Sequence, residues 1–144
     1  MIRKAYKSDI PVMLELAMEL FIDSTYKHVT PSIARIKTTF ETMIDAGFAM
    51  VAVIDGKIVG GMIGDVYTPW YTLDKLGIDY SIFVLPKHRN GLIAFKLIKA
   101  FENWCISNGA KQIRIGIGTG DKNVSRLYEK LGFDIVGTAH CKNI

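Results

Sequence analysis

Eleven consecutive residues carry the first chemical signal: Val84-Leu85-Pro86-Lys87-His88-Arg89-Asn90-Gly91-Leu92-Ile93-Ala94. They join an apolar strand pattern to an amphipathic helix pattern through a short basic turn that contains glycine. The first N–H groups of a helix have no partner within it, and the helix dipole is positive at that end. A basic turn running into a helix start is therefore suited to an anion, phosphate above all. A second signal follows downstream. Tyr128-Glu129-Lys130-Leu131-Gly132-Phe133 ends a short helix pattern at a glycine and places a phenol, a proton donor, at its head.

Other chemistries find little support. Cys105 lies on the apolar stripe of a helix pattern, which makes it core filler, and Cys141 stands apart from it. His28, His88 and His140 have no ligand-like spacing with either cysteine, so no metal is expected. A reducing cytoplasm is the simplest compartment for such cysteine usage. The net charge of +4 is spread over interspersed signs, the pattern of an ordinary solvated surface and not of a nucleic-acid footprint. No apolar run approaches the length that spans a bilayer, and no N-terminal signal segment is visible.

These groups need a frame, and the 144 residues, 49% of them apolar, suffice for one domain with a full core. Ile2 to Ala5 reads as a strand. Ser8 or Asp9 then caps a helix carrying Ile10, Met13, Leu14, Ala17, Leu20 and Phe21 at helical spacing. Thr30-Pro31 starts a second helix, which runs to Gly47. Phe48 to Ile54 and Lys57 to Tyr67 flank Asp55-Gly56, a hairpin signal. Gly60, Gly61 and Gly64 in the second arm predict a bulge or a close backbone approach. A loop from Thr68 to Gly77 leads to a strand over 78–85. A helix follows over 92–108, then an alternating strand over 112–117, a short helix over 123–131 and a last strand over 133–137. Strand 78–85, helix 92–108 and strand 112–117 form a βαβ crossover, so those two strands should run parallel. The predicted class is α/β: a mixed, mostly antiparallel twisted sheet with a central parallel pair and helices on both faces.

With this order of elements, the chain resembles the GNAT acyltransferase superfamily along nearly its whole length. The family signature is Arg or Gln, two residues, Gly, one residue, then Gly or Ala. Here Arg89 takes the first position and Ala94 the last, with Val84 and Pro86 where the family has valine and proline. Leu127-Tyr128-Glu129-Lys130-Leu131-Gly132-Phe133 matches the closing motif without a gap. Three departures stand out. Leu92 replaces the first signature glycine, with Gly91 one residue early. Asp121 holds the position, seven before the tyrosine, where the family favours asparagine, with Asn123 nearby. Eleven residues follow Phe133, so the family's last hairpin strand looks truncated or missing.

The resemblance implies transfer of an acetyl group from acetyl-CoA, as co-substrate and without metal, to an amine by direct attack in a ternary complex. The amides of Arg89, Asn90, Gly91, Leu92, Ile93 and Ala94 would hold the pyrophosphate, with Asn123 also at the cofactor. The backbone of Phe83 or Val84 would polarise the thioester carbonyl, provided the sheet splays there. Tyr128 would return a proton to the departing thiolate. An alkylammonium of pKa ~10.4 is neutral in only about one molecule in 10³ at pH 7, so a base would help. Asp79 is the first candidate, although Ile78 occupies the usual glutamate position and strand side chains alternate. Glu19, Asp65, Asp74 and His28 are alternatives. Trp70-Tyr71 either lines an acceptor pocket or closes the core.

The acceptor could be a small amine or a protein amine. A second reading, supported by the three departures, is a non-catalytic module of the same fold that binds CoA weakly or not at all. A truncated sheet end would leave an edge that invites pairing with a second copy, a homodimer.

Overall fold

The computed structural model describes residues 1–144. Five strands, β1 (Ile2–Lys4), β2 (Phe48–Ile54), β3 (Lys57–Tyr67), β4 (Lys75–Val84) and β5 (Ala110–Arg114), form one sheet in sequence order. The first four are antiparallel to their neighbours, and β4 and β5 are parallel. Helices α1 (Ile10–Asp23) and α2 (Ile33–Ala46) cover one face; α3 (Ile93–Ser107) and α4 (Lys122–Lys130) cover the other. The expected class and the parallel βαβ pair are both present.

Local chemistry explains the punctuation. Asp55 and Gly56 have φ of 48° and 74°, the pair of left-handed residues that a two-residue hairpin turn requires. Helix α2 begins later than Thr30-Pro31 suggested, because Ser32 is the cap: its Oγ accepts the Arg35 N–H at 3.3 Å. The α3 stripe is the centre of the larger core. Leu97, Ile98, Phe101 and Cys105 are fully buried against Phe48, Met62 and Val84. Gly64 of β3 exists for that contact. A Cβ on it would stand 2.6 Å from the Phe101 ring and 2.8 Å from the Ile78 carbonyl oxygen.

Three further expectations are corrected. β4 begins at Lys75, inside the stretch 68–77 read as a loop, and Lys75 to Gly77 pair with β5. β5 spans Ala110–Arg114, not 112–117, so the alternating residues beyond Arg114 leave the sheet. No strand forms over 133–137; Ile135 and Val136 are 69% and 68% exposed. Their β-branched composition suits a strand, but a strand is stabilised by pairing, and no neighbour pairs with them.

Two irregularities shape the site. β4 pairs with β5 only from Lys75 to Ile78, with Ile78 opposite Arg114, after which the strands diverge. From Asp79 to Val84, β4 has no neighbour on that side. The second irregularity is a bulge. Ile63 pairs with Ser81 but Gly64 pairs with Asp79, which leaves Tyr80 as an extra residue in β4.

Candidate active site

The bulge resets which way β4 side chains point. Ile82 and Val84 pair with Met62 and Gly60 on the α3 face, while Ser81 and Phe83 lie on the α1/α2 face. Without the extra residue, Asp79 would share the face of Ser81. With it, Asp79 joins Gly77, whose α-carbon faces Cys105 of α3. The alternation that seemed to put Asp79 out of step is thus broken by Tyr80.

Backbone alternation also sorts the two amides proposed for the thioester. The Leu85 N–H donates to the Val59 carbonyl at 2.8 Å, so the odd residues of this stretch point their amides toward β3. Phe83 is therefore committed to the sheet, whereas the backbone groups of Ile82 and Val84 face the open side of the fork. Ile82 is a candidate that sequence reasoning missed, because it depends on the register. Arg89 reaches the same open side, where its Nε donates to the Val84 carbonyl at 2.8 Å and its guanidinium lies 5.6 Å from the Phe83 ring centre. The side chain of Arg89 fastens the turn to the end of β4, and its backbone, not its charge, is what the turn offers.

The turn itself suits a phosphate. Pro86–His88 form one 3₁₀ turn, and Leu92 occupies the cap position of α3 without any side-chain capping bond. The first intrahelical bond runs from Lys96 N–H to Leu92 carbonyl at 2.9 Å. The amides of Leu92, Ile93, Ala94 and Phe95 are left without backbone acceptors. No acidic residue lies in that first turn, and the preceding 3₁₀ turn carries Lys87 and His88. Leu92 has φ −92°, an ordinary value for a residue with a side chain, and that side chain is exposed. Gly91 has no left-handed φ, and a Cβ there would meet only the His88 carbonyl oxygen, at 3.7 Å.

Tyr128 is fixed by the way α4 ends. Gly132 has φ 89°, its N–H donates to the Glu129 carbonyl, and the Phe133 N–H donates to the Tyr128 carbonyl, each at 3.0 Å. This is a Schellman motif, which brings the residue after the glycine onto the residue five before it. Phe133 accordingly packs on Tyr128, with ring centres 6.1 Å apart. The tyrosine-to-phenylalanine motif is a device for burying and aiming a phenol. Its Oη donates to the Gly116 carbonyl at 3.0 Å. The Gly116 N–H donates to Asp79 Oδ1 at 3.2 Å.

Burial raises the Asp79 carboxyl from 3.8 to about 6, partly offset by its bonds to backbone amides. Burial, aided by the Asp79 charge, pushes the Tyr128 phenol well above its ordinary value, so it holds its proton at neutral pH. The structure thus brings Asp79, Tyr128, Val84 and the turn to one fork. Gly116, the residue that links two of them, was missed; its signal is the pair Gly116 and Gly118 just beyond an alternating strand.

None of the remaining candidates is hydrogen-bonded to Asp79, Gly116 or Tyr128. Asp121 caps α4 by accepting the Asn123 N–H at 2.8 Å, which gives that position a structural task, and the Asn123 side chain is exposed. Glu19, Asp74 and His28 are exposed, and Asp65 accepts from its neighbour Val66 N–H. Trp70 is 97% exposed, so the aromatic loop does not close the core. The loop between α1 and α2 is tied to the diverging segment, where Thr25 N–H and Oγ1 both donate to the Gly118 carbonyl at 2.9 and 3.0 Å. No helix is long and apolar enough to cross a membrane.

A forked sheet beside a helix with free N-terminal amides is the frame of an acyl-CoA-dependent transferase. Solved structures of that class superpose on the whole chain. A predicted acetyltransferase from Clostridium acetobutylicum with acetyl-CoA is 18% identical, covering 99% of this chain and 95% of its own, with a TM-score of 0.78. The aminoglycoside acetyltransferase AAC(6')-Iy bound to a CoA bisubstrate analogue is 19% identical over 100% and 97%, with a TM-score of 0.78. Glucosamine-6-phosphate N-acetyltransferase from Arabidopsis thaliana is 20% identical over 99% and 97%, with a TM-score of 0.77. Among curated protein sequences none matches. A sequence profile of the acetyltransferase (GNAT) family matches residues 13–133, and the chain belongs to that family. Membership makes it a GNAT acetyltransferase.

Proposed function

We propose that the acetyl group passes directly from the thioester to a primary amine in a ternary complex formed at the fork between β4 and β5. The observation that carries this reading is the end of β4–β5 pairing at Ile78 and Arg114, which leaves the Ile82 and Val84 N–H groups free beside a buried phenol. The pyrophosphate sits on the amides of Leu92 to Phe95, where the helix dipole favours it. The neutral amine attacks the thioester carbon, and the oxyanion takes an N–H bond from the open side of β4. As the carbon–sulfur bond breaks, Tyr128 gives its proton to the thiolate. The proton shed by the amine returns to the phenolate through solvent. In the free enzyme the phenolic hydrogen rests on the Gly116 carbonyl, and rotation about the Cζ–Oη bond is enough to redirect it. Acceptors named for structural relatives, an aminoglycoside and glucosamine-6-phosphate, make amino sugars the first to try.

The test is Tyr128→Phe, assayed by CoA release at saturating acetyl-CoA with amino sugars, a lysine peptide and hydroxylamine as acceptors. Turnover should fall about 10²-fold, the scale of a general acid, while acetyl-CoA affinity changes by less than about tenfold. Wild-type turnover in the phenylalanine variant refutes the donor role.

A further inference from the structure

Gly116 is gripped from two sides. Its N–H is held by Asp79 of β4 at 3.2 Å and its carbonyl by Tyr128 of α4 at 3.0 Å. It belongs to the segment that leaves the sheet just after Arg114, at the point where the fork opens. The segment has no strand partner there, so the Asp79 carboxylate does the work that a backbone carbonyl of β4 does lower down. The bulge at Tyr80 is what aims Asp79 into this layer, beside Tyr128 and away from Ser81 and Phe83. Asp79 Oδ1 is turned onto the backbone that holds the acid.

We propose that Asp79 is a positioning residue that sets the Tyr128 hydroxyl and the width of the fork through Gly116, and that it is not the general base. The inference rests on Tyr128 being the proton donor of the proposed reaction. It has a specific signature. What Asp79 supplies is a hydrogen-bond acceptor, so an amide oxygen can replace the carboxylate, which no base role permits.

Three variants and one combination decide the matter, with CoA release measured at saturating acetyl-CoA and hydroxylamine, and with melting temperature as the folding control. Asp79→Asn should keep turnover within about fivefold of wild type. Asp79→Ala, which leaves the Gly116 N–H without its partner, should lose about tenfold or more. In a Tyr128→Phe background the alanine substitution should cost less than about threefold further, because residues acting as one unit are non-additive. Amide exchange at Gly116, read by NMR, should be slow in wild type and Asp79→Asn and fast in Asp79→Ala. Equal losses in the asparagine and alanine variants, or losses that multiply with Tyr128→Phe, would overturn the inference while leaving the donor role of Tyr128 intact. Wild-type turnover in Tyr128→Phe, or no transfer by wild type to any acceptor, would instead overturn the proposed chemistry and this inference with it.

Discussion

Asp79→Asn should make the protein more stable, and only at the right pH. The Asp79 carboxyl titrates at about 6 in the folded chain against an ordinary 3.8, and burial is the main cause. The folded state therefore holds this proton more tightly than the unfolded state. As pH rises from 3.8 through 6, the unfolded chain has already released the proton, and stability falls across the window. Above pH 6 the cost is complete. A shift of about two units at ~1.4 kcal/mol each gives roughly 3 kcal/mol at pH 8, against about 1 kcal/mol at pH 4.5. Tyr128 is the ionisable neighbour, and it stays protonated throughout this range. Asparagine has no charge to bury and keeps an oxygen for the Gly116 N–H, while its NH₂ needs a partner of its own. The net gain should be about 1–3 kcal/mol at pH 8 and shrink by about 2 kcal/mol at pH 4.5. Urea unfolding of both proteins at the two pH values measures it. A gain of equal size at both, or a loss at pH 8, would refute the buried-charge argument.

The uncapped start of α3 should be improvable at the expense of the co-substrate. Leu92→Asp supplies the missing cap and should raise stability by about 1 kcal/mol, yet weaken acetyl-CoA more than tenfold by occupying and repelling from the anion site, as titration calorimetry would read; stronger or unchanged binding would place the pyrophosphate elsewhere. Gly132→Ala strains a residue with φ 89° and should cost about 1–2 kcal/mol. It should also lower turnover by loosening Phe133 from Tyr128, and a stability loss with full turnover would separate the motif from the catalytic tyrosine.

The sequence was most legible where chemistry is local. Asp55-Gly56 makes a turn because both residues tolerate positive φ, and Gly132 closes α4 for the same reason. The α3 stripe could be read because helical periodicity needs no knowledge of neighbours. Legibility failed where pairing decides. Residues 133–137 have strand composition but no partner. The facing of Asp79 depends on Tyr80 being extra, and nothing in Ile78-Asp79-Tyr80-Ser81 marks a bulge. The only hint lay across the sheet, in Gly64, whose missing side chain leaves room for Phe101 and for the Ile78 carbonyl.

Two places in this fold leave backbone groups open that ordinary local chemistry would satisfy. A capping side chain at Leu92 would stabilise α3, and continued pairing beyond Arg114 would satisfy the backbone of Ile82 and Val84. The chain does neither. What it leaves open in each place is a set of backbone N–H groups, one set at a helix start and the other along a strand edge. In the proposed reaction the first would meet the pyrophosphate of acetyl-CoA and the second the developing oxyanion. Arg89 joins them, since it sits in the turn and holds the Val84 carbonyl at the end of the open edge. In the proposed complex lost capping and lost pairing are recovered together, and for this reason acetyl-CoA should raise the melting temperature of this chain by mass action.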